Sequence, residues 1–122
     1  MDQGTRITEY LETGLQAAGL RQSVIAGNIA NMATPGYRRY AVPFEEMFAE
    51  ALEKGRPVQY GDIVDEVTRP MTGEVNEIGN DVHLESEIGD LVKNSLLYKT
   101  YARLLARTYQ QMEIAMSVGR DG

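Results

Sequence analysis

From Leu84 onward, apolar residues recur in an alternating four-then-three spacing: Leu84, Ile88, Leu91, Ser95, Tyr98, Ala102, Leu105, Tyr109, Met112 and Met116, interrupted only by the serine. A shorter series of the same kind opens the chain, with Ile7, Leu11, Leu15, Ala18, Gln22, Ile25, Ile29 and Met32. This spacing is the seam of helices that pack along their whole length, as coiled coils do. It predicts a first helix from about Thr5 to Met32 and a last one from about Leu84 to Val118. At 1.5 Å per residue the last helix is roughly 50 Å long. A second apolar line, Leu97, Tyr101 and Leu104, lies beside its seam, so this helix can touch two neighbours at once. Gly14, Gly19 and Gly27 interrupt the first helix. Each costs about 1 kcal/mol relative to alanine in a helix interior. The first helix therefore needs a partner, either a neighbouring helix packed closely on the glycines or another subunit docked there.

Between the two seams the pattern changes. Pro35 disfavours helix at Thr34, and Pro35-Gly36 suits the centre of a type II turn. Pro43 then opens a short helix with Phe44, Met47, Phe48, Ala51 and Leu52 on one side, and Gly55 closes it. From about Arg56 to Asn80, prolines and glycines separate β-prone pieces such as Ile63-Val64 and Val67-Thr68, which predicts loops with room for a hairpin. The expected architecture is mainly α: long N- and C-terminal helices paired as a coiled coil, with a short helix and a loop or β-prone middle segment. Residues 1–36 and 81–122 form one packing unit, and residues 37–80 form the middle segment. The residues expected at subunit contacts are Leu15, Ile25, Ile29, Leu84, Ile88, Leu91, Tyr98, Ala102, Leu105, Tyr109, Met112 and Met116. An isolated copy is expected to be only partly helical and to gain order on assembly.

Composition narrows the function. Seven Tyr, two Phe and no Trp in 122 residues favour thin helix-on-helix packing over one thick core. A formal net charge of −6 argues against nucleic-acid binding, which requires a basic surface. With no cysteine, disulfides and thiolate chemistry are excluded. The first residues lack the basic start and apolar stretch of a cleaved signal peptide, so none is expected. His83 is the single histidine, which removes His-based zinc sites and fits a capping residue at a helix start. Asp62, Asp65 and Glu66 lack calcium-loop spacing, and Glu85, Glu87 and Asp90 fit ordinary charges in the first turns of a helix. There is no nucleophile elbow and no phosphate loop. No enzymatic activity, cofactor or small-molecule substrate is expected. Asn28 and Asn31 sit three apart on the last turn before the stop, where their amides can satisfy free carbonyls or reach another subunit.

The run Asn28-Ile29-Ala30-Asn31-Met32-Ala33-Thr34-Pro35-Gly36-Tyr37 closely resembles the N-terminal signature of bacterial flagellar rod, hook and hook-associated proteins. Gly79-Asn80-Asp81-Val82-His83-Leu84-Glu85-Ser86-Glu87, with Asn94-Ser95-Leu96-Leu97-Tyr98 after it, looks like the matching C-terminal block. Short length and the ending Ile114-Ala115-Met116 look most like the proximal rod proteins of that family. Two departures stand out. Tyr98-Lys99-Thr100-Tyr101 replaces the Tyr-Gln-Ala-Asn stretch common in sibling rod proteins, and His83 stands where the family usually has a helix-capping aspartate. The cap must then come from Asn80 or Asp81, or be missing.

The resemblance carries the motif residues Asn28, Ala30, Asn31, Thr34, Pro35, Gly36 and Tyr37 onto this chain. It implies a structural subunit that polymerises helically around a channel in the periplasmic part of the basal body. Its partners would be further copies, other rod proteins, and the inner-membrane ring with its adaptor protein. It also implies delivery through the flagellar type III export gate. Early export substrates resemble one another in a Phe-x-x-x-apolar element, matched here by Phe44 and Phe48, which packing onto the long helices explains equally well. The competing expectation is a cytoplasmic helical adaptor or chaperone that holds partner helices in a groove.

Overall fold

The computed structural model describes residues 3–121. Four helices follow in order: α1 (Gln3–Ala30), α2 (Phe44–Lys54), α3 (Tyr60–Asp65) and α4 (Leu84–Asp121). α1 and α4 run antiparallel and pack along their length, and the middle segment folds back against the pair. No strand forms among the described residues; β structure is limited to one antiparallel bridge between Ala41 and Thr68.

The punctuation works as the sequence predicts at α2. Pro43 precedes the helix, and Gly55 ends it in the left-handed conformation, φ +69°, with its N–H donating to the Ala51 carbonyl. Phe44 and Phe48, one turn apart, are buried and meet edge to face at 5.6 Å. They form the core with Ala17, Ala18, Val42 and Ile63, and Leu97 and Tyr101 of α4 cover it. A core made of two alanines and two phenylalanines is thin on the helix-pair side and thick on the α2 side. The alanines let large rings approach α1 closely.

α3 departs from expectation. Ile63-Val64 suggested a strand by its β-branched composition, yet it lies in a helical turn. The Asp62 carboxylate accepts the Gln59 backbone N–H at 3.1 Å, satisfying a donor that the helix start would otherwise leave free. Ile63 is fully buried in the core. A local cap and one buried side chain outweigh a β preference that depends on neighbouring strands. Thr68 makes the bridge to Ala41 instead, through bonds of 2.8 and 3.1 Å.

The seam of α4 is displaced from the apolar series. Leu91, Tyr98, Leu105 and Met112 belong to both stripes, but the second column facing α1 is Glu87, Asn94, Tyr101 and Thr108 in place of Ile88, Ser95, Ala102 and Tyr109. Glu87 and Asn94 are buried, while Ile88 is 46% exposed. The two polar breaks in the apolar series nonetheless meet, since Gln22 Nε2 donates to Ser95 Oγ at 2.9 Å.

Glycine is required once along the pair. A Cβ on Gly14 would lie 2.4 Å from the Tyr101 ring, so the tyrosine packs directly against the α1 backbone. Gly27 has open space at that position. The first of the two alternatives, close packing within one copy, therefore accounts for Gly14.

Candidate functional site

The two signature-like blocks, residues 28–37 and 79–87, fold onto one another at one end of the helix pair. Their meeting is mostly polar, and it centres on four buried side chains. Asn28, Asn80, Asp81 and Glu87 are each at most 1% exposed. At this burial every donor and acceptor needs a partner, because an unmade hydrogen bond costs about 1–3 kcal/mol. Among the described residues no buried side-chain nitrogen or oxygen lacks one.

Asn28 is the hub. Its Nδ2 donates to the Tyr40 carbonyl at 2.9 Å and to Glu87 Oε2 at 3.3 Å. Its Oδ1 accepts the Tyr40 backbone N–H at 2.9 Å and the Tyr37 hydroxyl at 3.1 Å. One amide thereby fixes the extended segment after the turn and joins it to α4. Tyr37 ionises above its ordinary range, chiefly because burial disfavours the phenolate, so it remains a donor here.

The turn itself forms around Pro35 and Gly36. Tyr37 N–H donates to the Thr34 carbonyl at 3.3 Å, and Gly36 takes φ +73°, which a type II turn requires and a side chain would resist. Asn31 Nδ2 satisfies the Gly27 carbonyl at 2.9 Å. Thr34 Oγ donates to Asn31 Oδ1 at 3.1 Å. Ala30 is exposed. Two carbonyls of the turn after α1 each take a further bond from the other block, where Asn80 Nδ2 donates to Asn31 at 2.8 Å and Thr34 at 2.9 Å. Asn80 Oδ1 accepts the Val82 N–H at 2.8 Å.

Arg38 and Arg39, adjacent in an extended segment, point to different carboxylates. Asp81 accepts Arg38 Nε at 3.0 Å and the Arg39 backbone N–H at 2.6 Å. Glu87 accepts Arg39 Nε at 2.6 Å. Burial pushes the Asp81 carboxyl up, but the Arg39 N–H, the Arg38 bond and the two guanidinium charges together hold it below the usual carboxylate range. Arg69 lies over the rings of Tyr40 at 4.3 Å and Tyr37 at 5.5 Å, and so pins the segment beyond α3 to the same motif.

One helical turn and more along the pair, Arg21 makes a second tie. It forms a two-pronged pair with Glu45 at 2.6 and 2.7 Å, donates to Asn94 Oδ1 at 2.9 Å, and stacks over Phe44 at 4.2 Å. Asn94 is buried and donates to the Ala18 carbonyl at 2.7 Å and to Gln22 Oε1 at 2.8 Å.

Of the residues expected at subunit contacts, Leu105 and Ile25 are buried within one copy, and Leu15, Ile29, Leu91 and Ala102 are half-buried. Leu84, Ile88, Tyr98, Tyr109, Met112 and Met116 are exposed. Tyr109 hydrogen-bonds Glu12, and Met112 sulfur accepts the Thr8 hydroxyl, so both lie along the α1 edge. Phe44 and Phe48 are in the core, not on a surface. His83 is exposed and its carbonyl accepts the Glu87 N–H, so α4 starts at Leu84. Asn80 and Asp81 serve the end of α1 and the arginines rather than that helix start.

The residues that composition did not single out are Glu87, Asp81, Arg38, Arg39 and Asn94. Glu87 passes for a helix-start charge because nothing in its own neighbourhood reveals Arg39, 48 positions away. The tandem Arg38-Arg39 directly after a turn was the available signal: two cations beside a chain reversal need acids from elsewhere. Among the described residues no group of three or more histidines, cysteines or acids could hold a metal ion, and no helix is long and apolar enough to cross a membrane.

Residues 10–38 match the family of flagella basal body rod proteins. The FlgB flagellar basal body rod protein of Borreliella burgdorferi is 25% identical over 95% of this chain and 99% of its own length. That of Bacillus subtilis is 25% identical over 92% of the chain and 94% of its length. The Borrelia hermsii protein is 27% identical over 84% and 89%. With the 28–37 turn and its buried partners in place at one end of a helical hairpin, the chain is similar to flagellar basal-body rod proteins of the FlgB type.

Proposed function

We propose that this chain is a structural subunit of the proximal rod of the flagellum, which polymerises helically through its terminal helices to form part of the hollow drive shaft. The single observation that carries the reading is the distribution of exposed apolar side chains on α4. Leu84, Ile88, Tyr98 and Met116 are each more than 40% exposed even with α1 packed along the helix. Apolar surface removed from water contributes roughly 25 cal/mol per Å². Neighbouring rod subunits complete these stripes. The role is mechanical, with no substrate and no catalysis, and further partners are other rod proteins and the inner-membrane ring with its adaptor.

Export follows from the same reading. Phe44 and Phe48 are presented to the type III gate only while the chain is unfolded, because folding hides both rings in the core. The gate therefore acts on the chain before α2 docks, and the molecule reaches the periplasm without a cleaved peptide.

The test is incorporation into isolated basal bodies. Ile88→Asp and Met116→Asp alter exposed positions, so the circular dichroism of the purified protein stays unchanged while incorporation is lost. Normal incorporation of both variants would sink the packing assignment. Phe44→Ser with Phe48→Ser abolishes secretion, whereas Ile63→Ala, which loosens the same core without touching either phenylalanine, leaves it intact.

A further inference from the structure

Away from the junction, two faces of the molecule carry complementary chemistry, and both are open in a single copy. The side of α4 opposite α1 presents Val92, Leu96 and Ile114, which are 55%, 61% and 59% exposed, interleaved with exposed Lys99, Arg103 and Arg107. At about 100° per residue these six fall within roughly 80° of arc. No carboxylate stands on that arc between Val92 and Ile114. Among the described residues none of the three cations belongs to an ion pair.

The outer side of α2, turned away from Phe44 and Phe48, presents exposed Glu46, Ala49, Glu50 and Glu53, flanked by Leu52 at 72% exposure. Glu50 is engaged by Lys54 of its own helix at 2.5 Å, while Glu46 and Glu53 have no ion-pair partner among the described residues. An apolar line edged by cations and an acidic helix edged by a leucine match in both sign and composition. They cannot meet within one copy, because α2 is held by its opposite side.

We propose that the basic–apolar face of α4 docks on the outer face of α2 of a second copy of this chain. The proposal rests on the rod reading and specifies one of its contacts. Two different surfaces meet, so the contact is heterologous: each copy offers a free acidic face and a free basic face, and growth continues until a ring closes or a helix extends. The Leu52 and Leu96 side chains supply the dry centre. The charges set register and encounter rate, and their effect fades as salt rises.

Sedimentation of the full chain over a range of protein and salt concentrations tests this. Arg103→Glu with Arg107→Glu, or Glu46→Lys with Glu53→Lys, weakens self-association by about tenfold or more. Combining all four reversals restores it, because each face has then been inverted to suit the other. All four positions are exposed, so circular dichroism confirms an unchanged fold. The proposal is overturned if the unaltered chain stays monomeric, if either pair of reversals leaves association unchanged, or if the four-fold variant is no stronger than the pairs. Incorporation of the unaltered chain into basal bodies is read separately. A chain that incorporates but shows no charge dependence removes this contact and leaves the rod reading standing, whereas a chain absent from basal bodies removes the reading itself.

Discussion

The two ends of the α1–α4 pair are built on opposite rules. At the turn end, around Asn28, Asn80, Asp81 and Glu87, the interior is polar and every buried side-chain atom has a partner. At the other end, past Tyr101, the described side chains buried between the helices are Leu11 and Leu105, while Ile114, Met116 and Val118 stand in solvent at 59%, 65% and 67% exposure. A polar interior tolerates only one arrangement, because any shift leaves a group unpaired. An apolar surface accepts many. The first end fixes where the chain reverses, and the second is left free to be completed by whatever lies against it.

The largest way to break this contrast is Glu87→Ala. It strips Arg39 of its buried partner and Asn28 of an acceptor, and costs about 3 kcal/mol in urea unfolding, as removal of one member of a buried pair does. Met116→Asp, at the open end, changes the same measurement by less than about 0.5 kcal/mol. Equal losses from the two would erase the distinction between the ends.

The glycines give the next largest effect. Gly14→Ala drives a methyl into the Tyr101 ring and costs about 1–3 kcal/mol, and Tyr101→Leu in the same chain recovers part of it.

Titration separates the regions from the two sides of the pH scale. The Asp81 carboxyl lies below its ordinary 3.8, so its contribution is complete above that pH and is lost as pH falls further. Acid therefore loosens the turn end. Burial, with Tyr10 and Glu45 nearby, pushes Tyr101 from 10.0 up to about 12. Folding favours its neutral form, so that contribution is complete below pH 10 and disappears as pH climbs through about 12. Amide exchange resolved along the chain should show 28–40 opening first in acid, and the α1–α4 contact near Gly14 opening first in alkali.

The smallest gain or loss expected along α1 itself is at Gly27. It has room for a side chain, and alanine there stabilises by about 0.5–1 kcal/mol.

Much of this was legible in the chain. Pro43 and Gly55 bracket α2 because each acts on the backbone at its own position, and Pro35-Gly36 writes the reversal in the same local way. The existence of two long helices followed from spacing alone. The register between them did not. An apolar count puts Ile88 and Ala102 in the seam and Tyr101 in a line beside it, and passes over Glu87 and Asn94; the packing of Glu87, Asn94 and Tyr101 depends on Arg39, Ala18 and Gly14. Those partners lie dozens of residues away, so no local window contains the reason. The same holds for Ile63-Val64, whose helix was decided by Asp62 and by a core that the sequence does not display.

The Asn80 amide adds a long-range bond to the Asn31 and Thr34 carbonyls of the turn after α1, 49 and 46 positions upstream. A polypeptide that emerges in order from its front end can make the turn's local bonds at once, but lacks these two until position 80 has also appeared. Whatever structure forms earlier is provisional, and the last third of the chain acts as the key that locks the first.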